Sequence, residues 1–358
     1  DVIRVLITPS PYPPILIFCK QWLNIDSFCC YFCALQIVNR FMEPLDRIPT
    51  RQDIAETHAA ISEMIHYTPL MFSESLNRIS GAQLFFKCEN FQKIGAFKMR
   101  GAASAALRLN DEQLEKGLAT HSSGNHAQAV ARAAQLLGVP AYIVMPENAP
   151  SIKVAATKGY GAEIIFCKNV EDREPTLRKV VERTGATFIH PFNDYNVIAG
   201  QATCAYELLQ DVEALDTIIA PVGGGGLLSG TALSTRYWSP QTKVIGAEPE
   251  IVNDAWRSMQ SGAIEGNQST NTIADGLRTN LGEKTFDIIR QYVDDIITVS
   301  ENAIIEAMCL VWERMKIIIE PSCAVPLAAV LQNKDRFADE TVGIILTGGN
   351  VDLKNLPF

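Results

Sequence analysis

From Gln83 onward the chain alternates short apolar, β-branched runs with longer stretches in which apolar residues recur at i, i+3 and i+4. The first kind predicts strands at 83–87, 117–121, 141–145, 163–166, 187–190, 217–221, 244–248, 296–299 and 342–347. The second predicts helices, the clearest at 125–137 and 302–315 and a shorter one at 177–182. Strands of near-continuous apolar character separated by amphipathic helices predict an α/β protein, with parallel sheets covered by helices on both faces. In such folds ligands lie beyond the carboxyl ends of the strands, so the loops that follow them are where chemistry is to be sought.

The first 41 residues break the pattern. Positions 15–38 are apolar and aromatic, but Lys20, Asn24 and Asp26 interrupt them, which argues against a membrane span of about 20 uninterrupted apolar residues. The first methionine is Met42, followed by an ordinary polar start, so residues 1–41 are expected to be an N-terminal extension outside the functional unit. The whole chain has 358 residues, 47% of them hydrophobic, with a formal charge of −9. That size suits about two domains at roughly 150 residues each. An acidic chain without a long Lys/Arg block lacks the electrostatic footprint of a nucleic-acid or anionic-membrane binder. The expected partner is a small molecule. Of nine cysteines, Cys19, Cys29, Cys30 and Cys33 crowd the extension, and apart from the Cys30/Cys33 step, which lies in an apolar run with no second pair, none has zinc-site spacing. This reads as a reducing, cytoplasmic compartment.

Four of the loops after strands carry unusual residues. Gly223, Gly224, Gly225 and Gly226 follow one strand and precede Leu227 and a helical stretch. Consecutive glycines at a helix N-terminus let backbone N–H groups approach an anion, as a phosphate requires. No Lys-Ser/Thr follows, which excludes a Walker loop. Glu248, at the end of the next strand, leaves a ribose-binding reading open at this point. A second loop, Ser122, Ser123, Gly124, Asn125 and His126, offers hydroxyl and amide groups at another helix start, where a carboxylate is favoured and an N-cap is the plain alternative. In a third, Lys98 stands between Phe97 and Met99; apolar enclosure lowers a lysine pKa and suits covalent or proton-transfer chemistry. The fourth is Thr347-Gly348-Gly349-Asn350 after the last strand.

Taken together, FQKIGAFKMRGA (91–102), THSSGNHAQA (120–129), VGGGGLLSG (222–230) and ILTGGNVDL (345–353) resemble, in order and spacing, the fold-type II pyridoxal-phosphate (PLP) enzymes. The resemblance is to the branch of serine racemase, threo-3-hydroxyaspartate dehydratase and the short serine/threonine dehydratases, and it runs from about residue 52 to 353. It implies two doubly wound α/β domains like those of the tryptophan synthase β chain. The smaller, 117–194, would be inserted in a larger PLP-binding domain made of 42–116 and 195–358.

The same resemblance gives each loop a role. Lys98 would bind PLP covalently and then take the substrate Cα proton. Phe97 would border the cofactor ring, Asn125 would meet its phenolic oxygen, Gly223 to Gly226 and Leu227 would hold its phosphate, and Thr347 would meet its pyridine nitrogen. Ser122, Ser123, Asn125 and His126 match the loop that grips the amino-acid carboxylate. Ser123 also matches the acid/base group opposite the lysine that racemisation needs. Glu248, Val252 and Asp254 match a cation site suited to Mg2+ or Ca2+, which removes Glu248 from the ribose reading.

Departures from the racemase pattern carry expectations too. Lys93, Gln128, Lys316 and Asn350 match an activating nucleotide site, but Ile94 replaces a hydroxyl residue and Glu74 adds an acid, so no ATP activation is expected. Phe192 stands where an Asn contacts the cofactor, with neighbouring Asn193 as a substitute. The leading expectation is a PLP-dependent ammonia-lyase that turns L-serine or L-threonine into a 2-oxo acid and ammonia. Serine racemase and 3-hydroxyaspartate ammonia-lyase are the alternatives. The resemblance implies a homodimer, and no residue marks the pocket for the substrate's β-substituent.

Overall fold

The computed structural model describes residues 3–6, 42–149 and 151–358. Its strands are β1 (Ile3–Leu6), β2 (Leu70–Ser73), β3 (Gln83–Cys88), β4 (Leu118–His121), β5 (Ala141–Pro146), β6 (Glu163–Cys167), β7 (Thr187–Phe188), β8 (Thr217–Pro221), β9 (Lys243–Pro249), β10 (Asp295–Val299) and β11 (Thr341–Leu346). They form a seven-stranded sheet in the order β1-β2-β3-β11-β8-β9-β10 and a four-stranded sheet in the order β6-β5-β4-β7. Helices connect successive parallel strands, as the alternating pattern predicts. Each expected strand is present within a few residues, and the helix Asn125–Leu137 has the expected bounds.

The expectation of purely parallel sheets needs correction at one edge. β2 runs antiparallel to β3, pairing Leu70 with Lys87, and β1 runs antiparallel to β2, pairing Ile3 with Ser73. A four-residue strand is too short to show a period, so LMFS at 70–73 carried no usable signal. The reading of residues 1–41 as an extension falls on positions that, apart from 3–6, lie outside the described residues.

The four-stranded sheet occupies 118–188, a contiguous stretch of chain, and β8 to β11 return to the larger sheet that β3 began. The helices against the sheets are rich in alanine: Ala102, Ala103, Ala105 and Ala106 in Lys98–Ala106 are all buried, as are Ala127, Ala129, Ala131, Ala133 and Ala134 in Asn125–Leu137. Small side chains let these helices sit close to their neighbours, and their apolar faces close the core.

Behind the loop of Lys98 lies a largely buried ionic cluster. Arg100 forks onto Glu89 (Nε to Oε2 2.7 Å, Nη2 to Oε1 2.8 Å) and onto Glu207 (Nη1 to Oε1 and Nη2 to Oε2, both 2.7 Å). Lys87 Nζ lies 2.9 Å from Glu207 Oε2 and 3.3 Å from Asp211 Oδ2, and His58 Nε2 lies 3.1 Å from Glu207 Oε1. The two cations hold the Glu207 carboxyl far below its usual range despite burial. The cluster joins β3, the helix Lys98–Ala106 and the helix Tyr195–Asp211, and so fixes the segment from which Lys98 projects.

Candidate active site

The loops singled out above converge on one cavity of about 580 Å³, lined from both sheets. Phe97, Lys98, the whole run Ser122 to His126, Gly223 to Leu227 and Thr347 all face it. Each stands at or just beyond the carboxyl end of a strand, or at the start of the helix that follows.

Lys98 opens the helix Lys98–Ala106. Its Nζ donates to the Pro191 carbonyl at 2.8 Å and sits 5.2 Å from the centre of the Phe97 ring. Burial pushes its pKa down to about 8. Met99, the other apolar neighbour, is buried in the core behind it. Phe97 is tied to the last strand's loop by its N–H, which donates to Thr347 O at 3.0 Å.

The glycine run turns tightly into the helix Gly226–Trp238. Gly225 has φ +87°, a conformation that side chains with a Cβ rarely adopt. A Cβ on Gly224 would lie 2.3 Å from Phe192 Cδ1, so the phenyl ring packs against bare backbone. Phe192 itself lines the cavity. Asn193 does not line the cavity; its Oδ1 accepts the Lys284 N–H at 2.9 Å.

Asn125 begins the helix Asn125–Leu137 and is held at both ends of its amide. Its Nδ2 donates to Glu320 Oε1 at 2.8 Å, and its Oδ1 accepts from Asn350 Nδ2 at 2.9 Å. His126 is buried; its Nε2 donates to Ile189 O at 2.9 Å, and burial lowers its pKa to about 3, so the ring is neutral. Its Nδ1 is buried without a partner among the described residues. Thr347 is buried, its side chain interacts with the Cys323 thiol, and the residue lines the cavity.

Several wall residues drew no role from the sequence. Glu320 is buried, and burial together with Asp275 raises its pKa to about 8. Asp275 pairs with Lys153 at 2.5 Å, joining the two walls of the cavity, and Arg173 and Arg278 line it as well. Glu320 was within reach, since it precedes a proline at a helix start, but its inward direction is a tertiary fact.

Glu248, Val252 and Asp254 lie together away from this cavity. Glu248 accepts from Trp256 N at 2.7 Å and Ala255 N at 3.3 Å; Asp254 accepts from Leu281 N at 2.9 Å and Asn267 Nδ2 at 2.8 Å. Both acids are buried, which raises their pKa values to about 8 and about 6. Two buried carboxylates beside a backbone carbonyl are a donor set of the hard-oxygen kind. Among the described residues no group of three or more His, Cys, Asp or Glu side chains gathers as a metal site, here or elsewhere.

Residues 61–348 match the family model described as "PALP: Pyridoxal-phosphate dependent enzyme". The chain belongs to the pyridoxal-phosphate-dependent enzymes. It is 48% identical to the beta-hydroxyaspartate dehydratase of Paracoccus denitrificans over 312 residues, 87% of this chain and 99% of that protein. The crystal structure of serine racemase from Dictyostelium discoideum matches with a TM-score of 0.81 and 50% identity, covering 85% of this chain and 99% of that one. The T.th. threonine deaminase structure matches with a TM-score of 0.82 and 46% identity, covering 85% and 99%. The architecture is therefore that of a fold-type II PLP enzyme. The cavity fits the cofactor: a buried amine of lowered pKa, a glycine run in which a Cβ on Gly224 or Gly225 would collide with neighbouring side chains, and a neutral hydroxyl residue at Thr347. Among the described residues no helix is long and apolar enough to cross a membrane.

Proposed function

We propose that this PLP enzyme deaminates a β-hydroxy amino acid, L-serine or L-threonine, to a 2-oxo acid and ammonia. The observation that carries the reading is the convergence of Lys98 Nζ, the Ser122–His126 loop and the Thr347 hydroxyl on one cavity. When bound, PLP draws electron density from the substrate's α-carbon and so acidifies its Cα–H bond. Gly223 to Gly226, with the Leu227 amide, offer N–H groups to its phosphate at a helix N-terminus. Phe97 would border its ring, and Asn125 would meet its phenolic oxygen.

Ser122, Ser123, Asn125 and His126 orient the substrate carboxylate. Lys98 Nζ, neutral above about pH 8, accepts the Cα proton. The Cβ–O bond then breaks and the hydroxyl leaves as water with a proton from the site. Hydrolysis of the resulting enamine releases ammonia and the 2-oxo acid. Thr347 offers a neutral hydroxyl to the pyridine nitrogen, which stabilises less negative charge in the ring than a carboxylate partner would and favours prompt loss of the β-hydroxyl.

Racemisation of serine is the second reading, favoured by Ser123 in the same cavity as Lys98, because inversion needs one acid/base group on each face. Glu248, Asp254 and the Val252 carbonyl would hold Mg2+ or Ca2+, whose charge would offset two buried carboxylates. The protein is proposed to act as a homodimer in the cytoplasm, where the five described cysteines, all free, remain reduced. The deciding experiment incubates the holoenzyme with L-serine, D-serine, L-threonine and 3-hydroxyaspartate in turn. It follows keto acid and enantiomer with and without Mg2+. Keto acid from at least one L-β-hydroxy amino acid supports the proposal; release from none refutes it. Unchanged cation binding by Glu248→Ala and Asp254→Ala in titration calorimetry would remove the metal assignment.

A further inference from the structure

Three imidazoles line the cavity, those of His121, His126 and His190. They differ in what each nitrogen does. His126 gives its Nε2–H to Ile189 O at 2.9 Å, and its Nδ1 is buried without a partner among the described residues. His121 stacks on Phe188 with ring centres 5.5 Å apart, and its Nδ1 is likewise buried and unpartnered.

His190 is placed differently. It stands two residues beyond the carboxyl end of β7, and its Nδ1 accepts two backbone N–H groups, from Phe192 at 3.2 Å and from Asn193 at 2.9 Å. A nitrogen that accepts N–H groups carries no hydrogen of its own, so the neutral ring has its hydrogen on Nε2. The ring is neutral because burial, with His121 and Lys98 nearby, lowers its pKa to about 4. Phe192 meets it edge-on at 4.8 Å between ring centres and Phe188 lies tilted at 5.5 Å, which holds its plane. Nε2 has no hydrogen-bond partner among the described residues and, unlike Nδ1 of His121 and His126, it is not sealed from solvent. The next residue in the chain is Pro191, whose carbonyl accepts from Lys98 Nζ at 2.8 Å. A fixed neutral N–H donor and the amine that takes the Cα proton therefore share one wall of the cavity.

We propose that the Nε2–H of His190 donates a hydrogen bond to the substrate's β-hydroxyl oxygen and supports its departure. This rests on the β-elimination reading above and adds the group that acts on the leaving side. Lys98 takes the Cα proton, the electron pair left on Cα forms the Cα–Cβ double bond, and the Cβ–O pair leaves with the oxygen. The Lys98 ammonium returns its proton to that oxygen, so water departs and the free amine is restored. His190 loses no proton, since a neutral imidazole N–H is a very weak acid. Its work is to stabilise negative charge as it builds on the oxygen, from a position set before the substrate arrives.

The test compares wild type, His190→Asn and His190→Gln, each loaded with PLP. Asn keeps an acceptor near the Nδ1 position for the Phe192 and Asn193 N–H groups but has no donor where Nε2 lies; Gln places an N–H group near the Nε2 position. Each is assayed on the β-hydroxy amino acid that wild type turns over fastest and on β-chloro-L-alanine, whose chloride leaves without a proton. His190→Asn is expected to lose on the order of 100-fold in kcat/KM on the hydroxy substrate, the size of effect seen when one preorganised donor is removed. On β-chloro-L-alanine the loss should stay within about threefold, and His190→Gln should recover part of the loss on the hydroxy substrate. The Kd for PLP, followed by cofactor absorption, should be unchanged in both variants. Equal losses on the two substrates, or none on the hydroxy substrate, would overturn the proposal. So would weakened PLP binding by His190→Asn, which would assign the residue to the cofactor. Those outcomes leave the function beneath intact as long as wild type releases keto acid. A wild type that releases none from any β-hydroxy amino acid refutes that function and this inference with it.

Discussion

Asn125 Nδ2 donates to Glu320 Oε1 across 2.8 Å, joining residues 195 positions apart at the wall of the cavity. The amide's other end accepts from Asn350 at 2.9 Å, so the side chain expected to meet the cofactor's phenolic oxygen is fixed from two directions. Glu320 lies buried at the start of the helix Pro321–Gln332 and feels Asp275 nearby, and its pKa stands at about 8 rather than 4.5.

That elevation has a sign that can be measured. Between the unfolded value of 4.5 and the folded value of about 8, the folded state holds a proton that the unfolded state has released, so this group's contribution to stability falls as pH rises through that window. Glu320→Gln removes the titration while keeping an oxygen for Asn125. Urea midpoints of the variant are expected to decline less between pH 5 and 8 than those of wild type. A parallel pair of curves would show that Glu320 does not titrate in this range.

Lys98 has the opposite kind of shift. Its ammonium is disfavoured by burial and its pKa is lowered to about 8, so the nucleophilic free amine appears well below the usual lysine range. The rate at which apoprotein captures PLP should rise with pH to a midpoint near 8 and then level off, as followed by the growth of the cofactor's visible absorption. A midpoint near 10.5 would mean that the amine is solvated.

The glycine cradle is tested by a single methyl group. Gly224→Ala would place Cβ 2.3 to 2.5 Å from Phe192 ring atoms, so ring or loop must move. The Kd for PLP should rise at least tenfold, and Phe192→Ala on that background should restore part of the affinity by removing the opposing ring. Unchanged PLP affinity in the single variant would contradict the close packing of the loop.

Arg100 anchors the platform under Lys98. Arg100→Met leaves Glu89 and Glu207 buried with their main counter-charge gone, a change that costs about 3–5 kcal/mol when one partner of a buried pair is removed. The expected outcome is a large loss in urea midpoint or an insoluble protein, whereas Arg183→Met, at an exposed pair with Glu163, should change the midpoint little.

The strand pattern and the four loops were readable because each depends on local chemistry. Period separates strand from helix, glycine marks the cradle, and an apolar frame marks Lys98. What was hidden depends on distance along the chain. Glu320, Arg173, Lys153 and Asp275 show no local sign of a cavity role and reach the cavity only because loops of both sheets meet there. Glu89, Arg100 and Glu207 carry no local sign of burial, and only packing shows them to be a buried cluster. Asn193 read as a substitute donor, but its Oδ1 accepts the Lys284 N–H and the residue does not line the cavity. The edge strand Leu70–Ser73 was too short to carry a period.

The central claim is that Lys98 is the residue to which PLP is covalently attached in this cavity. The most direct measurement treats the PLP-loaded protein with borohydride, digests it and maps the pyridoxyl group by mass spectrometry. The account predicts loss of the visible band and a single modified peptide carrying the label on Lys98, with no label in Lys98→Ala. A label on another lysine with Lys98 unmodified would contradict it.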